Sequence, residues 1–186
     1  MKGAAPLTPL GYALLGLLRA GPGSGYALRM VFETTPLGVY SSSPGSIYPA
    51  LAKLEKLGLV ARGSGAGGEK GAFMLTAPGE AALAAWLAKP VEPEEVARDV
   101  APALLRFAFL EHGDPALALR FLESFEAATR ARAAELDAYL ASEAGAALPL
   151  HGRLAVEHGL SAINSSADWA AGAHRRLRQA APKETE

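Results

Sequence analysis

Five of the nine residues from Gly63 to Gly71 are glycine, and two short apolar segments, Leu59-Val60-Ala61-Arg62 and Ala72-Phe73-Met74-Leu75, flank the run. Glycine at that density does not sustain a helix, so the chain turns there. The flanking segments then read as two strands of one hairpin, with Glu69 and Lys70 in its loop. The chain on both sides of the hairpin has helical periodicity, so the hairpin interrupts an otherwise helical protein.

Before the hairpin, the turn-forming residues divide the chain into three helices. Thr8 is suited to cap the first, with Pro9 as its first residue, and Leu10, Ala13, Leu14, Leu17 and Leu18 recur at helical spacing. Gly21-Pro22-Gly23 ends it, and Ser24 caps a second helix in which Tyr26, Leu28, Val31 and Phe32 supply apolar contacts up to Thr34-Thr35-Pro36. The third helix has two possible starts: Ser43 as cap with Pro44 first, or Ser46 as cap with Pro49 inside the first turn. The second start is favoured, because it leaves Pro49 among the amides that have no intrahelical acceptor.

From there Ile47, Leu51, Leu54 and Leu57 form a packing stripe. Ser46, Pro49, Lys53 and Lys56 share the same offsets on another face. Gly58 closes the helix and the hairpin follows. Thr76 then caps a fourth helix with Pro78 in its first turn and Leu83, Trp86 and Leu87 as apolar positions. Three helices, a two-stranded ribbon and a helix, in that order, make a winged helix-turn-helix.

Charge divides the chain in two. The 186 residues carry 18 Lys and Arg against 19 Asp and Glu, a net charge of −1, which argues against a nucleic-acid binder when taken whole. Residues 1–90 hold eight basic and four acidic side chains, a net +4; residues 91–186 hold 10 and 15, a net −5. The change falls at Pro90-Val91-Glu92-Pro93-Glu94-Glu95, which reads as a linker. Beyond it the pattern is all helical. One segment runs from Val96 to Phe109, a stop and new cap stand at His112-Gly113-Asp114-Pro115, and a long helix spans Ala116 to Glu143. Its apolar positions are Leu119, Leu122, Phe125, Leu136, Tyr139 and Leu140; a last helix covers about Leu150 to Gln179, and Pro182 to Glu186 forms a frayed tail.

Several chemistries are excluded. With no cysteine there is no disulfide, thiolate metal site or thiol nucleophile. Gly63 to Gly68 formally matches G-x-G-x-x-G, but a dinucleotide fingerprint opens a helix after a strand, and these glycines turn between two strands. His112, His151, His158 and His174 lack the spacing of a metal site, and no serine stands in a nucleophile motif. The run Leu10 to Leu18 imitates a signal peptide but has one lysine ahead of it and is interrupted at Arg19, and no stretch reaches the roughly 18 apolar residues of a membrane span. The expectation is a cytoplasmic protein with no cofactor, no metal and no membrane partner.

Four stretches carry a family resemblance: Tyr12 to Leu18, Gly21 to Leu28, Gly45-Ser46-Ile47-Tyr48-Pro49-Ala50-Leu51 through Leu57-Gly58-Leu59-Val60, and Leu75-Thr76-Ala77-Pro78-Gly79. In this order, over about residues 8–90, the sequence resembles the PadR family of transcriptional regulators. The rest resembles the family's helical C-terminal dimerisation domain in length and pattern. The resemblance implies a mainly α fold, with an N-terminal winged helix-turn-helix bearing a two-stranded β wing (1–90) and an all-α dimerisation domain (91–186). It further implies a homodimeric, ligand-responsive repressor that binds a pseudo-palindromic double-stranded DNA operator; a winged-helix protein-interaction module is the alternative.

DNA contact then falls to Ser24 and Tyr26 on the second helix, to Ser46, Tyr48, Pro49, Lys53 and Lys56 on the third, and to Arg62 and Lys70 on the wing. Tyr48 has two possible places, on DNA or packed under the wing. Relatives of the family often sense aromatic or drug-like compounds, which makes Trp169 and Phe107 candidates for an effector pocket, with core packing as the other reading of both.

Overall fold

The computed structural model describes residues 7–21, 23–40, 44–64, 70–111 and 114–180. Expectations placed on Pro22, Ser43, Gly65 to Glu69, His112, Gly113 and the tail from Pro182 lie outside the described residues. The chain divides into two compact units, Met1–Leu87 and Ala88–Glu186.

In the first unit, α1 (Pro9–Arg19) starts where its cap requires, with the Gly11 N–H donating to Thr8 Oγ1 at 3.2 Å. Ala13, Leu14, Leu15 and Leu18 are buried along one face. Helix α2 (Gly25–Thr34) is capped in the same way, the Ala27 N–H donating to Ser24 Oγ at 3.2 Å, and it buries Leu28 and Phe32. Tyr26, expected among its apolar contacts, is instead 61% exposed: as the helix's second residue it falls on the face away from Leu28 and Phe32. A short 3-10 turn, Pro36–Tyr40, follows.

Helix α3 (Pro44–Lys56) begins at Pro44, so the favoured start at Ser46 is corrected and Pro49 lies inside the helix. Pro44 stands in the first turn, where its missing N–H has no intrahelical acceptor, whereas Pro49, the sixth helical residue, forgoes one intrahelical hydrogen bond. Ile47, Leu51 and Leu54 are buried against α1, α2 and the first wing strand. Leu57, expected on the same stripe, is 44% exposed because the helix has already ended. The Leu59 N–H donates to the Leu54 carbonyl at 3.0 Å and the Gly58 N–H to the Glu55 carbonyl at 2.9 Å, with Gly58 at φ +69°. This is a Schellman closure, which requires the left-handed conformation that glycine adopts without a Cβ penalty.

The closure aims the chain into β1 (Val60–Ser64), which pairs antiparallel with β2 (Lys70–Leu75) in the register Val60 to Leu75 and Arg62 to Phe73. Gly23 adds a third rung, exchanging backbone hydrogen bonds with Phe73 at 3.1 and 2.9 Å, so the turn between α1 and α2 is tied to the wing. Thr76 accepts from the Gly79 N–H at 3.2 Å and opens α4 (Ala77–Ala88), whose Trp86 stacks on Tyr12 with centroids 4.5 Å apart.

The second unit holds α5 (Pro93–Arg98), α6 (Ala101–Ala108), α7 (Pro115–Ala141), α8 (Glu143–Ala146) and α9 (Leu150–Ala180). Two expectations change here. The stretch read as a linker is anchored, since Val91 is buried, its N–H donates to Ser124 Oγ at 3.0 Å, and Pro93 already begins α5. The single segment Val96 to Phe109 is two helices, because Asp99 Oδ1 accepts from the Ala101 N–H at 2.9 Å and Pro102 starts a new first turn.

Helices α7 and α9 run antiparallel, as shown by the pairs Glu123 with His174 and Arg130 with Asp168. Phe121, Leu122, Phe125, Ala128 and Ala133 on α7 are buried, as are Ile163, Ala167 and Ala170 on α9, while Tyr139, expected in the stripe, is 40% exposed. Helix α9 passes through Gly152, Gly159 and Gly172 without a break. Among the described residues, no helix is long and apolar enough to cross a membrane.

Candidate nucleic-acid interface

Burying Ile47, Leu51 and Leu54 turns the opposite face of α3 outward. Pro49, Lys53 and Lys56 are exposed, Ser46 is half-buried, and Tyr48 is 50% exposed with its ring against Gly25 at the start of α2. Tyr48 therefore lies on the outer surface beside α2. Among the described residues neither Lys53 nor Lys56 forms an ion pair, so two cations one turn apart stand free on this face. Ser24 uses its oxygen to cap α2 and keeps its hydroxyl proton for donation.

The wing is less basic than its sequence reads. Arg62 donates from Nε to Glu55 at 3.2 Å and lies over the Phe73 ring at 4.8 Å, so its charge is partly offset from α3. Lys70 is a backbone member of β2, and its side chain lies outside the described residues. One cation escaped sequence reasoning. The Arg29 guanidinium sits 5.4 Å from the exposed Tyr26 ring and pairs with Glu33 at 3.5 Å, while its Nε has no hydrogen-bond partner. The i, i+3 spacing of Tyr26 and Arg29 was the available signal.

The second unit holds a pocket of its own. Leu104, Phe107, Phe125, Ser165, Ser166 and Trp169 line an open-sided cavity of about 430 Å³. Phe107 and Phe125 meet Trp169 edge to face, with centroids 5.4 and 5.8 Å away at 87° and 81°. The two candidates named from sequence are thus in contact. Ser165 and Ser166 went unnamed, although their i, i+4 and i, i+3 spacing to Trp169 puts them on its face of α9.

Beneath this cluster Arg106, 2% exposed, lies over the Phe121 ring at 5.3 Å, donates to the Pro90 carbonyl at 3.4 Å and pairs with Glu95 at 3.3 Å. Burial pushes its guanidinium pKa down and the Glu95 carboxylate partly restores it. His174 pairs with Glu123 at 3.1 Å, His151 and His158 are exposed, and no group of three metal-ligating side chains gathers among the described residues.

Residues 14–85 match the family model described as the Transcriptional regulator PadR-like family. Among solved structures, the chain is similar to a PadR-like transcriptional regulator from Bacillus cereus, with 21% identity, 91% of this chain and 98% of that chain covered, and a TM-score of 0.40. It is also similar to Bacillus subtilis PadR in complex with p-coumaric acid, with 22% identity, 95% and 99% coverage and a TM-score of 0.39. For Bacillus subtilis PadR in complex with operator DNA the figures are 24%, 90% and 98%, and 0.38. No curated protein matches the chain. Residues 14–85, a winged helix-turn-helix with α3 presented to solvent, thus form a domain that matches the PadR-like family of transcriptional regulators.

Proposed function

We propose that this protein is a homodimeric, ligand-responsive repressor of the cytoplasm, in which residues 1–90 bind an operator of approximate two-fold symmetry and residues 91–186 dimerise. The observation that carries the reading is the outward face of α3, where Pro49, Lys53 and Lys56 are exposed and the two lysines are free of ion pairs among the described residues. A helix of that kind enters the major groove, with its cations on phosphate or base edges. Ser24, Tyr26, Ser46 and Tyr48 donate to phosphate at the margin, and Arg62 and Lys70 bring the wing onto the backbone. Dimerisation puts two such helices about 34 Å apart, one DNA turn. Leu150, Leu154 and Leu177 on α9, at 66%, 51% and 39% exposure, supply apolar surface for a second copy to cover.

The effector site is the cavity lined by Phe107 and Trp169, whose ring walls suit a planar aromatic compound. The test is to select bound fragments from genomic DNA and titrate them by fluorescence anisotropy. Neutralising six to eight phosphates per dimer gives a slope of log affinity against log salt of roughly −5 to −7. Aromatic compounds are then screened for release of the DNA together with quenching of tryptophan fluorescence. A slope near zero on every fragment, with a partner protein co-purifying, establishes the protein-interaction module instead.

A further inference from the structure

We propose that Gly25 is a positioning residue for DNA binding: the side chain it lacks leaves the space in which the Tyr48 ring is seated on the reading face. The inference rests on the DNA-binding reading above and adds a residue to it. Gly25 is the first residue of α2, directly after the Ser24 cap, and is buried. A Cβ added there stands 2.6 Å from Tyr48 Cε1, 3.3 Å from Cδ1 and 3.5 Å from Cζ. Carbon atoms pack at about 3.5 to 4.0 Å, so the ring and a methyl group cannot occupy this place together.

The three nearest atoms all belong to the Tyr48 ring, and Tyr48 is half exposed. The ring therefore has solvent to move into, and the backbone does not have to yield. Gly25 is also absent from the glycines at positive φ, and as the first residue of α2 it has a backbone conformation that alanine adopts without strain, at a smaller entropy loss on folding. The substitution Gly25→Ala thus leaves the fold intact or firmer while displacing one side chain, and that side chain neighbours Pro49 on the helix that carries Lys53 and Lys56. A phenol held in one place donates to phosphate without first being ordered; one swung into solvent loses that advantage.

The test is a double-mutant cycle with wild type, Gly25→Ala, Tyr48→Ala and the double variant, read as affinity for a selected DNA fragment and as Tm. Gly25→Ala is expected to weaken binding about tenfold at unchanged or higher Tm, the scale of one lost charge-assisted hydrogen bond. Tyr48→Ala is expected to weaken it at least as much, and the double variant is expected to match Tyr48→Ala alone. The inference is overturned if Gly25→Ala binds like wild type, if its Tm falls, if Tyr48→Ala binds like wild type, or if the two losses multiply in the double variant. Should wild type bind no fragment, the DNA-binding reading fails and this inference with it; wild-type binding with an unaffected Gly25→Ala refutes this inference alone.

Discussion

Replacing Lys53 and Lys56 together by alanine tests the proposed contact of α3 with DNA. Both side chains are exposed on α3 and neither is ion-paired among the described residues, so their loss breaks no contact of the fold. Alanine is the strongest helix former, so stability should change by no more than about 0.5 kcal/mol. In the proposed dimer, four such lysines would face DNA. Each phosphate contact contributes about 0.9 to the salt slope, so the double variant's slope should be shallower by about 3.6. If the two proteins converge near 1 M salt, affinity at about 0.15 M falls by roughly a thousandfold. Anisotropy titrations from about 0.05 to 0.4 M salt read both quantities, and circular dichroism checks the fold. Two parallel lines with unchanged affinity would refute the assignment of this face to DNA.

Three further substitutions test the scaffold. Leu51→Ala empties a fully buried position where α3 meets the rest of the winged unit and should cost about 2 to 5 kcal/mol in a denaturant melt with an unchanged m-value. Gly58→Ala meets nothing within 4 Å, so its cost of about 1 kcal/mol is backbone strain at φ +69°, and Gly58→Asn should recover part of it by the same melt. Glu95→Gln strips the counter-charge from Arg106, which is 2% exposed; because Glu95 itself is one-third open to water, the loss should be about 2 kcal/mol, and calorimetry should place it in the transition of the second unit.

Features that depend on neighbours along the chain were legible in the sequence. Thr8, Ser24 and Thr76 each cap the helix they were expected to cap, and Gly58 closes α3, because a cap is decided within about four residues. The exposed lysine pair also followed from helical period alone. The start of α3 was not legible, since the rule that keeps proline in the first turn favours Ser46, whereas the helix begins at Pro44 and holds Pro49 as its sixth residue. Nor was the break before α6, because Pro102 stands inside an apolar run that keeps its helical spacing. At the site, the offset of Arg62 by Glu55, the placement of Arg29 over Tyr26 and the seat of Tyr48 on Gly25 were all missed. Arg29 had a local signal, while the other two depend on which elements face one another, and that information is tertiary.

Nuclease footprinting of the wild-type protein on a fragment selected from genomic DNA bears most directly on the central claim. The predicted result is two protected half-sites of related, inverted sequence with centres about 10 base pairs apart, the spacing of two α3 helices on one face of the duplex. Protection of a single half-site, or none on any fragment at about 0.1 M salt, would contradict a symmetric operator read by a dimer.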